Sequence, residues 1–291
     1  MENTLFKKTL IPVFIIAATA VTSTFSALAK TIRLTPDNVD AVVAAMTPED
    51  KANLIVGMAR DMSDELRADV GYTYHIVPGV AGTTCPITYM GVTPLVLADG
   101  PAGIRMDSRR KGDSKDYFCT RVPMGTLLSS TWNDSIVAAF GSIIGEECRD
   151  YGIDILLGPG MNIMRNPLCG RNFEYYSEDP LLSGKMAAAF TNGVQSHGVG
   201  VSLKHFAANN QEINRLANDS RVSQRALREL YLRNFEIAIR ESEPWSVMSA
   251  YNYVNGEYAS QSKTLLTDIL RREWGFEGVV MSDWGAGISA V

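Results

Sequence analysis

The run Val199-Gly200-Val201-Ser202-Leu203, passing directly into Lys204-His205, decides the fold. Five small or apolar residues closed by two side chains rich in hydrogen-bonding atoms have the form of a buried strand whose end opens on a polar surface. The same form recurs at residues 95–98, 153–157, 246–250 and 278–281. Longer stretches of helical period separate these runs: 136–151 after Asn133 and Asp134, 181–196, 224–241 after Ser223, and 264–274. In the third of these, Leu227, Leu230, Tyr231, Asn234, Ile237 and Ala238 fall near one face, while Arg225, Arg228, Glu229, Arg233, Glu236 and Arg240 fall mostly on the other. Repeated alternation of strand and helix predicts a parallel α/β fold.

Two layouts satisfy that alternation, a doubly wound open sheet and a (β/α) barrel of the TIM type. A doubly wound nucleotide binder should show G-x-G-x-x-G after its first strand, and no such motif is present. Polar residues instead follow nearly every strand: Asp99, Lys204 with His205, Ser249 with Tyr251, and Asp283. A barrel builds its active site from the C-terminal ends of many strands, so the barrel is the expected fold. Only eight residues follow Asp283, too few for a crossover helix and another strand, so the barrel is expected to be cut before its last strand and to belong to a longer polypeptide.

Outside this frame, Thr47-Pro48-Glu49-Asp50 carries an N-cap, a proline at the first helical position and an acid at the third, which predicts that helices open the mature domain. Further upstream, Lys7 and Lys8 precede an apolar run from Leu10 to Val21, and Ala27-Leu28-Ala29 supplies small residues at cleavage positions. Residues 1–29 are therefore expected to be an export signal, and residues 30–291 the barrel domain of a periplasmic or secreted protein. The apolar run is too short to span a bilayer and no cysteine follows it for lipidation, so no membrane attachment is expected after cleavage.

The composition is that of a globular protein: 46% hydrophobic, 20% charged and 9% aromatic, with no glycine- or proline-rich linker. The formal net charge is −5, and no basic block or zinc-finger spacing is present, which argues against nucleic acid as a partner. Four cysteines, Cys85, Cys119, Cys148 and Cys169, are too few for a disulfide scaffold, and their pairing is open. His75, His197 and His205 form neither H-E-x-x-H nor H-x-E, so neither a metal nor another cofactor is expected. Oligomeric state is not legible.

Each candidate site residue is weak when taken alone. An acid at a strand end, such as Asp283, is commonly a loop acid or a cap, yet Trp284 beside it offers an apolar face for the C–H side of a sugar ring. Lys204 and His205 could equally be satisfied in the wall, and Asp99 before Gly-Pro could be a turn former. The segment 164–180 is a long loop dense in arginine, acids and aromatics, the kind of loop that carries function. Together the strand ends would hold an anionic nucleophile, donors for hydroxyl groups and an acid that accepts from them. This is polyol chemistry. Serine hydrolysis would want G-x-S-x-G, which the chain lacks.

Five stretches in order, residues 97–105 (Leu-Ala-Asp-Gly-Pro-Ala-Gly-Ile-Arg), 170–174 (Gly-Arg-Asn-Phe-Glu), 204–212 (Lys-His-Phe-Ala-Ala-Asn-Asn-Gln-Glu), 248–252 (Met-Ser-Ala-Tyr-Asn) and 281–284 (Met-Ser-Asp-Trp), closely resemble the N-terminal barrel of glycoside hydrolase family 3, its β-glucosidases in particular. The resemblance implies a retaining exo-glycosidase releasing terminal β-D-glucosyl residues through a covalent glycosyl ester on Asp283, the nucleophile. It implies that Asp99, Arg171, Lys204 and His205 grip the sugar hydroxyls and that Arg105, Met248, Tyr251 and Trp284 complete the pocket. The acid/base glutamate of such members lies on a second α/β domain that these 291 residues do not contain, and the resemblance makes Glu174 and Glu212 supporting residues instead. A branch acting on N-acetylglucosaminides carries a second histidine after Lys-His-Phe-Pro-Gly. Here Ala207 and Ala208 stand in place of that Pro-Gly, which disfavours the branch. β-Xylosidase or arabinofuranosidase activity, and a non-catalytic sugar-binding barrel, are the alternatives.

Overall fold

A computed structural model describes residues 32–59, 76–110 and 112–286. The expected export signal and His75 lie outside the described residues. The chain divides into two compact units, one of residues 1–73 with 83–94 and the other of 74–82 with 95–291.

In the first unit, helices α1 (Val39–Ala45) and α2 (Pro48–Val56) form the expected helical start. The Thr47 hydroxyl accepts from the Asp50 amide, and the Asp50 carboxylate accepts from the Thr47 amide at 2.9 Å, a reciprocal capping box. The Tyr89 hydroxyl donates to the same carboxylate. Val42, Met46, Ile87 and Met90 are buried together beneath these caps.

The second unit carries five parallel strands of one sheet: β1 (Val96–Asp99), β2 (Ile155–Leu157), β3 (Gly200–Phe206), β4 (Ser246–Ser249) and β5 (Val279–Ser282). They lie side by side in chain order, with Leu97 opposite Ile155, Ile155 opposite Gly200, Ser202 opposite Ser246, and Ser246 opposite Val279. A doubly wound sheet reverses direction at a switch point, and among these strands there is no reversal. The sheet also curls, since the Trp284 indole after β5 donates to the Ala81 carbonyl at 3.1 Å while the Ala81 amide donates to Leu97 on β1. The fold is a TIM-like (β/α) barrel, as expected.

Strand alternation sorts the side chains into two cores. Val96, Ala98, Leu156, Val201, Leu203 and Val247 face outward into the large apolar layer beneath the helices. Leu97, Ile155, Leu157 and Met248 face inward and pack with Met281 and Trp284. Outside lie α3 (Gly125–Ser129), α4 (Asp134–Tyr151) and α5 (Pro180–Gln195), followed by α6 (Gln224–Ala226), a π-helical stretch (Leu227–Tyr231), α7 (Arg233–Ser242) and a longer π-helix (Thr264–Glu273). Helices α4 and α5 cross backbone to backbone: a Cβ on Gly193 would stand 2.1 Å from the Ala138 carbonyl oxygen, and one on Gly141 would stand 2.3 Å from that of Phe190.

Two local features depart from the sequence reading. The π-helical stretch adds a residue to its turn, and Leu232 and Phe235 are buried in addition to the expected Leu227, Asn234, Ile237 and Ala238, while Leu230 and Tyr231 are only partly buried. Strand β3 does not end before Lys204. It continues to Phe206 through a register shift, in which the two steps from Lys204 to Phe206 oppose the single step from Met248 to Ser249.

Candidate active site

Each strand delivers its polar residue at its C-terminal end. After Asp99, the chain turns so tightly that the Arg105 amide donates back to the Asp99 carbonyl at 2.8 Å. Gly100, at φ +147°, makes that turn possible, because a Cβ there would meet the Gly103 carbonyl oxygen at 2.2 Å. The Arg105 guanidinium stands 3.8 Å from the Asp99 carboxylate on the exposed side.

Behind Asp99 lies a buried charge cluster. The Lys204 ammonium sits 3.8 Å from Asp99 and 3.9 Å from Glu174, and the Arg171 Nε donates to the other oxygen of Glu174. The Lys204 and Glu174 side chains are 6% and 8% exposed and Arg171 is 18% exposed, whereas Asp99 is 39% exposed. Glu174 is thus held between two cations, while Asp99 keeps lone pairs open to a cleft of about 510 Å³. Asp99, Arg105, Arg171, Phe173 and Lys204 are among its walls.

The register shift in β3 makes the second half of the site. Strict alternation would turn Lys204 and His205 to opposite faces, and the extra residue brings both to the same mouth. A bulged residue loses its ladder partners, and Asn162 replaces them: its Nδ2 donates to the His205 carbonyl at 2.9 Å and its Oδ1 accepts the His205 amide at 2.9 Å. The His205 ring is held by Tyr175, whose hydroxyl lies 3.4 Å from Nδ1. Asn162 Oδ1 lies at the same 3.4 Å from Nδ1, and Nε2 faces the Asp283 carboxylate at 3.6 Å. Burial pushes the imidazole well below its ordinary pKa, helped by Arg171, Lys204 and Arg215, so the ring is neutral and forms no ion pair with Asp283.

Asp283 follows β5 and is 8% exposed. One carboxylate oxygen accepts the Trp284 amide at 2.8 Å. The Tyr251 hydroxyl donates to the Trp284 carbonyl at 2.7 Å and stands within hydrogen-bonding reach of Asp283. Burial raises the Asp283 pKa above the ordinary carboxylate value, opposed by the Trp284 amide, the Tyr251 hydroxyl, Arg171 and Lys204. An anion dried in this way, with few hydrogen bonds to give up, is suited to attack carbon.

All nine residues singled out in the sequence meet at this end of the strands, with Met248 packed beside Trp284 as apolar floor. Sequence reasoning passed over Asn162, Tyr175 and Arg215, whose guanidinium lies 4.4 Å above the Tyr251 ring. Tyr175 lies in the loop already marked as functional, whereas Asn162 had no signal beyond following a strand. Glu212 pairs with Arg215 at 3.2 Å and accepts from Asn209 at 3.1 Å, a supporting place. A larger cavity, about 800 Å³, opens beside Trp245 and Val279 at the opposite ends of β4 and β5, away from this convergence of polar groups.

Known proteins fit this geometry. Residues 104–291 match the glycosyl hydrolase family 3 N-terminal domain. The chain is 42% identical over 252 residues to thermostable beta-glucosidase B of Acetivibrio thermocellus, covering 86% of this chain and 31% of that protein. It is 49% identical over 200 residues to an exo-alpha-(1->6)-L-arabinopyranosidase of Bifidobacterium breve, covering 67% of this chain and 26% of that protein. The structure of beta-glucosidase 3B from Thermotoga neapolitana in complex with alpha-D-glucose superposes with a TM-score of 0.79 at 52% identity, covering 86% of this chain and 34% of that one. The chain thus spans about a third or less of the length of these relatives.

Proposed function

The chain belongs to glycosyl hydrolase family 3, and from that premise we propose that it forms the nucleophile-bearing part of a retaining exo-β-glucosidase. One observation carries the reading: Asp283, dried and hydrogen-bonded, converges with His205, Lys204, Arg171 and Asp99 at one end of the parallel strands. Asp99 accepts sugar hydroxyls while Lys204 and Arg171 donate to them and the His205 ring hydrogen-bonds to them as well. The Asp283 carboxylate attacks the anomeric carbon, the glycosidic bond breaks, and a glycosyl ester forms that water later hydrolyses.

The departing oxygen needs a proton, and in retaining enzymes it comes from a carboxyl group roughly 5–5.5 Å from the nucleophile. Glu174 and Glu212 are both committed to arginines, which supports an acid/base supplied from beyond these 291 residues. A substrate with a good leaving group bypasses that need. Incubation with an activated 2-deoxy-2-fluoro-β-glucoside is expected to add one fluoroglucosyl group to the peptide containing Asp283, and none in Asp283→Ala. A label on any other residue refutes the assignment.

The arabinopyranosidase relatives favour a second reading, in which a pentopyranoside lacking C6 is the substrate, and the ratio of trapping rates for pentosyl and glucosyl probes separates the two. Export remains part of the proposal, supported by Lys7, Lys8, the apolar run and Ala27-Leu28-Ala29. The secreted chain is expected to begin at Lys30 on N-terminal sequencing, and an intact Met1 in the mature product would contradict it.

A further inference from the structure

The wall of the cleft formed by residues 119–121 is tied to helix α4 at two points that straddle a pair of cysteines. On one side the Tyr151 hydroxyl donates to the Phe118 carbonyl. On the other the Thr120 amide and hydroxyl both donate to the Glu147 carboxylate, the amide at 3.0 Å. Residues 118 and 120 therefore lie across the turn of α4 that runs from 147 to 151, with Cys119 between them and Cys148 on that turn. Cys148 is fully buried, and the half-buried Cys119 packs against the same apolar core. Both are free thiols in the structure.

We propose that Cys119 and Cys148 form a disulfide when the chain folds in the presence of a small-molecule disulfide. The thiolate of Cys119 attacks one sulfur of the donor, the donor bond breaks, and one donor thiolate leaves. The thiolate of Cys148 then displaces the second. Two protein thiols are oxidised by two electrons, the donor is reduced to two thiols, and the two protein protons pass to the departing thiolates. The two thiols are near enough that charge on Cys119 raises Cys148, and burial pushes the Cys148 thiol to about 12. A thiol so protonated and covered is a poor nucleophile, so the exchange belongs to folding, before the segment closes over the helix. Cys85 and Cys169, both buried as free thiols, are expected to stay reduced.

The bond would close a loop of about 30 residues and brace the cleft wall, since Cys119 and Thr120 line it. Only the relevance of that wall to sugar rests on the glycosidase reading. The test is made on the full chain, unfolded in urea and refolded with mixed oxidised and reduced glutathione, then alkylated and mapped by peptide mass spectrometry. The expected result is one linked peptide pair joining Cys119 to Cys148, lost on reduction, with Cys85 and Cys169 alkylated. The oxidised chain should unfold ~6–12 °C above the reduced one, and Cys119→Ser should abolish that difference. Alkylation of both Cys119 and Cys148 in chain shown to be folded by circular dichroism overturns the proposal, as does pairing of either with another cysteine. Because the mapping uses the wild-type chain, its outcome stands even where the Cys119→Ser variant fails to fold. The result is also independent of whether Asp283 is labelled.

Discussion

Replacing Glu174 by alanine removes the carboxylate that two buried cations share. Arg171 loses its hydrogen-bonding partner outright, and Lys204 is left with Asp99 at 3.8 Å, whose 39% exposed side chain is screened by water. Breaking one side of a buried ion pair costs about 3–5 kcal/mol, and the Arg171–Glu174 contact, at 18% and 8% exposure, falls in that class. Glu174→Gln keeps an acceptor for the guanidinium and is expected to cost ~1.5–3 kcal/mol, the range for a hydrogen bond to a charged group. Urea unfolding followed by tryptophan fluorescence measures both. The decisive variant is the double one, Arg171→Met with Glu174→Ala, which removes the stranded guanidinium and should recover at least ~1 kcal/mol relative to the sum of the single changes. Strict additivity, or a loss below ~1 kcal/mol for Glu174→Ala, would show that the cluster is solvated and would refute the buried-pair assignment.

Asp283→Asn should abolish trapping by the fluoroglucoside yet raise the urea midpoint at neutral pH, because the folded chain no longer buries that anion. The sign follows from linkage: with a folded pKa above the unfolded value, the ionised aspartate opposes folding at high pH, and the advantage of asparagine shrinks as pH falls through the folded pKa and vanishes below the unfolded one. An advantage that persists at low pH refutes it. Trapping of the wild type should decline on the acid side at a higher pH than an ordinary aspartate gives, and a decline at or below the usual range counts against the dried nucleophile. Gly193→Ala forces α4 and α5 apart against a 2.1 Å clash and should cost ~1–3 kcal/mol or more in thermal unfolding, while Gly198→Ala, with open space but φ +74°, should cost less.

Much of the barrel was legible because each signal was local. Asn133 and Ser223 cap helices as their residue types predict, accepting from the amides of Ile136 and Ala226. The runs read at 95–98, 153–157, 246–250 and 278–281 became strands within a residue or two of those boundaries, whereas the run read at 199–203 extends three residues further, to Phe206. What was hidden is what side-chain type does not encode. A π-helical stretch uses the same residues as an α-helix, so the burial of Leu232 and Phe235 beside the expected Asn234, Ile237 and Ala238 leaves no mark in the sequence. Asn162 earns its place through the backbone of a residue 43 positions away, and one asparagine in a loop resembles any other. The division into two units follows no linker of distinctive composition. The residues singled out for the chemistry of their side chains meet at one end of the strands, whereas Asn162 and Tyr175, which hold His205, carried no individual signal.

The extra residue in β3 gives that strand something like a reading frame. Along a strand, direction has two letters, inward and outward, and every side chain downstream of a deletion changes letter. Deleting one residue anywhere in 200–202 turns the Lys204 side chain outward and Leu203 inward, a change that no conservative substitution at 204 can repair. Deleting two restores the parity and alters only depth. The same loss placed after Phe206 leaves Lys204 and His205 in frame. A change of one residue in length is therefore expected to be tolerated only on the far side of the bulge, and Asn162, which grips the out-of-frame residue by both its amide and its carbonyl, marks the boundary.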